Sequence, residues 1–210
     1  QPANAVFSDY SRTGATCTAA ADVFNSTGWT VGAALDPAKY FEFTITPNAC
    51  TVMNLDSLKF LHRVSTSGGA VTVVVRSSLD GFTADLHNAP IASVNTNVNL
   101  GIDLPASFNG LTSAVTFRTY IVNILSISAT YRHDNVALIG TATTYPLANY
   151  YQDLDGDGFG NPAVFVNTCT PVGYVANSTD CDDNNNLVTS GIIYYQDLDG
   201  DSFGNAAITQ

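Results

Sequence analysis

The chain has 210 residues, 45% hydrophobic and 12% charged, with a net charge of −11, which excludes a disordered polymer and suits one ordinary domain plus a smaller one. The charge is lopsided. Residues 141–210 hold nine Asp and no Lys or Arg, which excludes a basic footprint for nucleic acid and an electrostatic hold on anionic lipid.

Taken in order, residues 1–140 read as short strands. In Tyr40–Thr46, Phe41, Phe43 and Ile45 share one face while Glu42 and Thr44 share the other. Leu58–Val64 and Ala70–Ser78 follow, and Asp80-Gly81 is a turn signal. Val115–Asn123, Ile124–Tyr131 and Asp134–Gly140 complete the set. No window sustains a helical stripe, and Val, Ile, Thr, Tyr and Phe are plentiful. The expected fold is all-β, an antiparallel β-sandwich over residues 1–141. Thr141–Asn149 is small and polar, so a linker is expected at 142–149. No apolar run approaches the roughly 18 residues of a membrane span, so no membrane insertion is expected. The chain starts at Gln1 rather than Met, which suggests a processed, secreted form.

Beyond residue 149 the chain repeats itself. Tyr150–Asn161 reads YYQDLDGDGFGN and Tyr194–Asn205 reads YYQDLDGDSFGN, 44 residues apart. The first repeat spans 150–193. The second, 194–210, is incomplete, so the native chain is expected to continue.

Asp153, Asp155 and Asp157 stand at positions 1, 3 and 5 of a calcium-loop pattern, with Gly158 at position 6 and the Phe159 carbonyl at position 7. Asp197, Asp199, Asp201 and Phe203 repeat it, with Ser202 in place of the glycine. Alternating carboxylates repel one another, and a cation converts that repulsion into coordination. Position 12, where a bidentate Glu completes an EF-hand loop, is Val164, so further oxygens are expected from Asp180, Asp182 and Asp183. Residues 141–210 contain no His or Met, and oxygen-only ligands select Ca²⁺.

Four cysteines fall two and two. Cys17 and Cys50 lie in the first part, Cys169 and Cys181 in the second, which suggests two local disulfides in an oxidising compartment. A Cys169–Cys181 bond would hold the second acidic run near the first loop. His62, His87 and His133 have no catalytic motif around them, no nucleophile elbow occurs, and Glu42 is the only Glu, so no enzymatic role is expected. Trp29 and Tyr120 are candidates for a sugar-stacking platform, with core packing as the alternative. Asn25-Ser26-Thr27 and Asn177-Ser178-Thr179 fit the N-glycan acceptor pattern, and Asp56-Ser57-Leu58 resembles a bacterial O-glycosylation motif.

The ordered string of Asp loop, Cys169, Pro171-Val-Gly173-Tyr-Val175 and Asp180-Cys-Asp-Asp183 resembles the acidic metal-binding repeats of secreted bacterial surface proteins, similar in style to thrombospondin type 3 calcium repeats. "YFEFTITPNA", "VRSSLDGF", "VTFRTY" and "RHDNVALIG" resemble a jelly-roll domain common in secreted proteins of Bacteroidota. The resemblance implies a secreted, cell-surface adhesion or structural protein with calcium-stabilised spacer repeats. Its partners would be calcium and either a glycan or another copy of itself. The alternatives are a carbohydrate-binding module of a larger secreted enzyme and a subunit of a filament or sheath.

Overall fold

The computed structural model describes residues 4–20, 23–91, 94–169 and 172–188, with the backbone alone at 195–196 and 205–209. The chain divides into two compact units, Gln1–Thr144 and Tyr145–Gln210.

The first unit is an antiparallel β-sandwich. Its strands in chain order are β1 (Ala5–Phe7), β2 (Ser11–Thr13), β3 (Thr16–Cys17), β4 (Phe24–Thr27), β5 (Tyr40–Pro47), β6 (Thr51–Val64), β7 (Thr72–Ser77), β8 (His87–Pro90), β9 (Val98–Asp103), β10 (Val115–Val122) and β11 (Tyr131–Thr144). One sheet runs β1-β5-β10-β7-β8, with β2 also paired to β5, and the other runs β3-β4-β11-β6-β9. The inner faces bury Phe41, Phe43, Ile45, Val73, Val75, Phe117 and Ile121 from the first sheet against Leu58, Phe60, Val64 and Tyr131 from the second.

β5 follows its sequence alternation. Phe41, Phe43 and Ile45 are buried, while Glu42 faces outward and accepts a bond from Arg118 Nε at 3.0 Å. That guanidinium also lies 4.0 Å from the ring centroids of Tyr40 and Phe82. β6 changes phase midway. Gly140 pairs with Leu55 and Ile139 with Ser57, so Asp56 is an extra residue on β6, and Leu55 and Leu58 are both buried although three positions apart. A second bulge, between Asp134 and Ala137 on β11, places Asn135 at φ 49°.

Two expectations for this unit change. Ile124–Tyr131 is not a strand. Asn123 takes φ 61° at the end of β10 and turns the chain out of the sheet. Ser126 Oγ then accepts from the Ser128 N–H at 3.3 Å, a local bond that competes with a sheet ladder. β11 also runs past Gly140 to Thr144, because β6 extends back to Thr51 and the pair Thr51–Thr144 closes the ladder. The segment expected as a linker therefore shrinks to residues 145–147 between strands.

The core contains a polar cluster. His62 and His133 face each other across β6 and β11, and both are buried. Tyr131 Oη bonds His62 Nδ1 at 2.8 Å, and Tyr10 Oη bonds His133 Nδ1. Burial, followed by the charge of His87, lowers the His62 pKa to about 4. Burial, followed by the charge of His62, lowers that of His133 well below its ordinary value. Both tyrosine hydroxyls are pushed well above theirs by burial. Tyr131, His62 and His133 are buried members of the core, and Tyr10 packs partly buried against it.

The second unit contains β12 (Ala148–Gln152), β13 (Asn161–Thr168) and β14 (Tyr174–Val175) in the sheet order β13-β12-β14, followed by the hairpin β15 (Tyr195–Gln196) and β16 (Asn205–Thr209). The two hairpins share one register. Tyr151 pairs with Phe165 and Gln152 with Asn161; Tyr195 pairs with Thr209 and Gln196 with Asn205. Each pair lies 44 residues from its counterpart, so the sequence repeat is also a structural one. The cysteines depart from the expected pairing: Cys17 and Cys181 are exposed free thiols, so neither of the two local disulfides forms.

Candidate metal centre

The hairpin of β12 and β13 holds the Asp loop between its strands. Along it Asp153, Asp155 and Asp157 are partly buried while Leu154, Gly156 and Gly158 are exposed, so the spacing of two brings the carboxylates to one side. One oxygen from each of the three lies within 4.8 Å of the others. Gly158 takes φ 89°, the sharp turn expected at position 6.

The oxygens divide their work. Asp155 Oδ1 accepts from the Asp157 N–H at 3.2 Å, and Asp157 Oδ1 accepts from the Phe159 N–H at 2.8 Å. The Oδ2 atoms of Asp155 and Asp157 are buried with no hydrogen-bond partner. Asp153 receives the Gly156 and Gly158 N–H groups at 2.9 and 3.1 Å, which pins the loop in its turn. Desolvation, reinforced by the charges of Asp157, Asp180 and Asp153, raises the Asp155 pKa.

A second segment closes the loop. Gly160 lies so near residues 175–177 that a Cβ there would meet Tyr151 Cβ at 2.6 Å and the Asn177 carbonyl oxygen at 2.7 Å. The Asn177 amide donates to the Gly158 carbonyl at 2.8 Å and accepts the Gly160 N–H at 3.3 Å. The Asp180 N–H donates to the Gly160 carbonyl at 3.2 Å. Asp180 is 4% exposed, and its Oδ2 is a third buried carboxylate oxygen without a partner. Asp183 is also buried, whereas Asp182 is exposed. Oxygen donors of this kind suit a hard divalent cation, and Asp153, Asp155 and Asp157 are the side chains whose oxygens lie together, with the buried Asp180 carboxylate on the closing segment. Asp197, Asp199, Asp201 and Phe203 lie outside the described residues.

The candidate stacking residues belong to packing instead. Trp29 is fully buried 4.9 Å from the Phe41 ring, and its Nε1–H donates to the Ser26 carbonyl at 3.3 Å. Tyr120 is 3% exposed, packed with Val74 and Val122 beneath Leu35 and Tyr40. Elsewhere on the sandwich a groove of about 540 Å³ is lined by Phe7, Ser8, Tyr10, Phe43 and residues Val136, Ala137 and Leu138 of β11. The glycosylation patterns also meet structural obstacles. Asn25 and Ser57 are buried, and both polar atoms of the Asn177 amide bond the loop backbone.

The fold defines the chain as an all-β protein, an antiparallel two-sheet sandwich with a smaller β-hairpin unit bearing a carboxylate cluster. No family model matches the chain, and no curated protein matches it. Among solved structures, a protein described under "CBM4 structure and function" aligns with TM-score 0.40 and 12% identity, over 63% of this chain and 94% of that one. The K3 cleaved adhesin domain of Lys-gingipain from Porphyromonas gingivalis aligns with TM-score 0.33 and 14% identity, over 56% and 72%. A structure on promiscuous carbohydrate-binding modules of the β-sandwich superfamily aligns with TM-score 0.32 and 12% identity, over 63% and 56%. The sandwich assignment rests on the strand pairing of this chain, not on these overlaps. Among the described residues, no helix is long and apolar enough to cross a membrane.

Proposed function

We propose that this chain is a non-catalytic, extracellular adhesion or structural protein in which Ca²⁺ stiffens the acidic segment into a spacer. One observation carries the reading: Asp155, Asp157 and Asp180 each present a buried carboxylate oxygen with no hydrogen-bond partner, beside the Asp153 turn. Buried anionic oxygens left unpaired are costly, and a divalent cation satisfies several at once. The even number of cysteines in the sequence supports an oxidising, extracellular setting. In this reading the sandwich meets the partner, a glycan or another copy of the chain, and the aromatic-lined groove is one concave surface it offers. Calcium acts mechanically, by removing the mutual repulsion that would otherwise open the loop.

Limited proteolysis of the full chain with and without a calcium chelator tests this. The expected result is new cleavage between residues 153 and 183 after chelation, with the sandwich left intact. An identical cleavage pattern in calcium and in chelator contradicts the proposal.

A further inference from the structure

The three carboxylates of the Asp180-Cys-Asp-Asp183 run look equivalent in sequence, yet their oxygens have different surroundings. Asp180 Oδ1 accepts from the Asp182 N–H at 2.8 Å, which fixes the carboxylate and leaves buried Oδ2 without a partner. Asp155 and Asp157 show the same arrangement, with one oxygen holding backbone and the other unpaired. Asp183 has both oxygens engaged, as Asp153 does, but unlike Asp153 it is not in the loop group whose oxygens lie together, and it presents no unpaired oxygen. Oδ1 accepts from the Leu154 N–H at 2.8 Å, and Oδ2 accepts from Asn161 Nδ2 at 3.4 Å. Leu154 lies between Asp153 and Asp155, so this bond fixes the backbone from which two of the loop carboxylates project. The Asp182 side chain is exposed.

We infer that Asp180 is the fourth carboxylate ligand of the calcium site, that Asp183 is a positioning residue acting through the Leu154 N–H, and that Asp182 lies outside the site. This rests on the cation reading above. It divides one acidic run into a ligand, a support and a spectator. A support of this kind matters because partners that orient ligands commonly govern metal affinity by about 10–100-fold.

The test is calcium titration calorimetry on the full chain at fixed ionic strength, comparing wild type with Asp180→Asn, Asp182→Asn, Asp183→Asn and Asp183→Ala. Asp180→Asn is expected to weaken binding by about tenfold or more, and Asp182→Asn to change it by less than about threefold. Asp183→Ala is expected to lose about tenfold although it removes no ligand, whereas Asp183→Asn keeps an acceptor for the Leu154 N–H and most of the affinity. Hydrogen exchange at the Leu154 amide supplies a second readout. It should speed up in Asp183→Ala and return to the wild-type rate in Asp183→Asn. Equal losses in Asp180→Asn and Asp182→Asn overturn the assignment. So does an Asp183→Asn loss as large as that of Asp180→Asn. A wild-type chain that takes up no calcium overturns the underlying reading itself.

Discussion

Trp29→Ala is expected to destabilise the sandwich by about 3–5 kcal/mol, the range for truncating a large buried aromatic. The indole is fully buried and packs against Phe41 and Tyr131, with ring centroids at 4.9 and 6.3 Å. Its Nε1–H also satisfies the Ser26 carbonyl, so truncation opens a cavity and leaves a buried acceptor in need of a donor. Urea unfolding of the full chain, followed by tyrosine fluorescence so that both proteins report through the same fluorophore, measures the loss. A loss below about 1 kcal/mol would place Trp29 on a surface and reopen the stacking role its sequence suggested.

Gly160→Ala is expected to damage the acidic unit with little effect on the sandwich. The added methyl would sit 2.7 Å from the Asn177 carbonyl oxygen, 2.6 Å from Tyr151 Cβ and 2.9 Å from Val175 Cγ2. Backbone must give way, and overpacking of this kind typically costs about 1–3 kcal/mol. The segment that moves carries the Asn177 amide and, three residues on, Asp180. Hydrogen exchange over residues 148–183 should therefore accelerate, while exchange in β5, β6 and β10 stays at wild-type rates. Unchanged protection in 148–183 would show that the close approach of Gly160 does not hold the loop to its second segment.

Much of the sandwich is written as period-two alternation, and the structure follows it where both sheet faces are decided by burial. Phe41, Phe43 and Ile45 turn inward as their spacing requires. The same rule applied to Phe60, His62 and Val64 places His62 in the core, although attention to catalytic motifs passes over it. Alternation misleads in Ile124–Tyr131, where β-branched residues suggest a strand but a left-handed Asn123 and paired serines build a loop. Leu125 and Ile127 remain 72% and 64% exposed there, so side-chain type did not decide the backbone. Trp29 lies outside any alternating run, and its burial depends on Phe41 and Tyr131, which are distant in sequence. That Cys17 and Cys181 stay free was illegible for a related reason, because proximity in the chain says little about proximity in the fold.

The acidic loop was more legible because its chemistry is local. Three Asp at a spacing of two followed by Gly158 specify a turn with its carboxylates on one side, and the Asp153, Asp155 and Asp157 geometry agrees. The closing segment was legible only as a supply of acids. That Asn177 clips Gly158 and Gly160, or that Asp183 bonds an amide 29 residues earlier, depends on the close approach at Gly160. No spacing rule expresses that contact.

The claim that a divalent cation completes this loop is tested most directly by anomalous diffraction from crystals of the full chain grown in millimolar calcium. The account predicts an anomalous peak about 2.3–2.6 Å from carboxylate oxygens of Asp153, Asp155, Asp157 and Asp180. An ordered loop with those oxygens bound to water alone, and no peak among them, would contradict it.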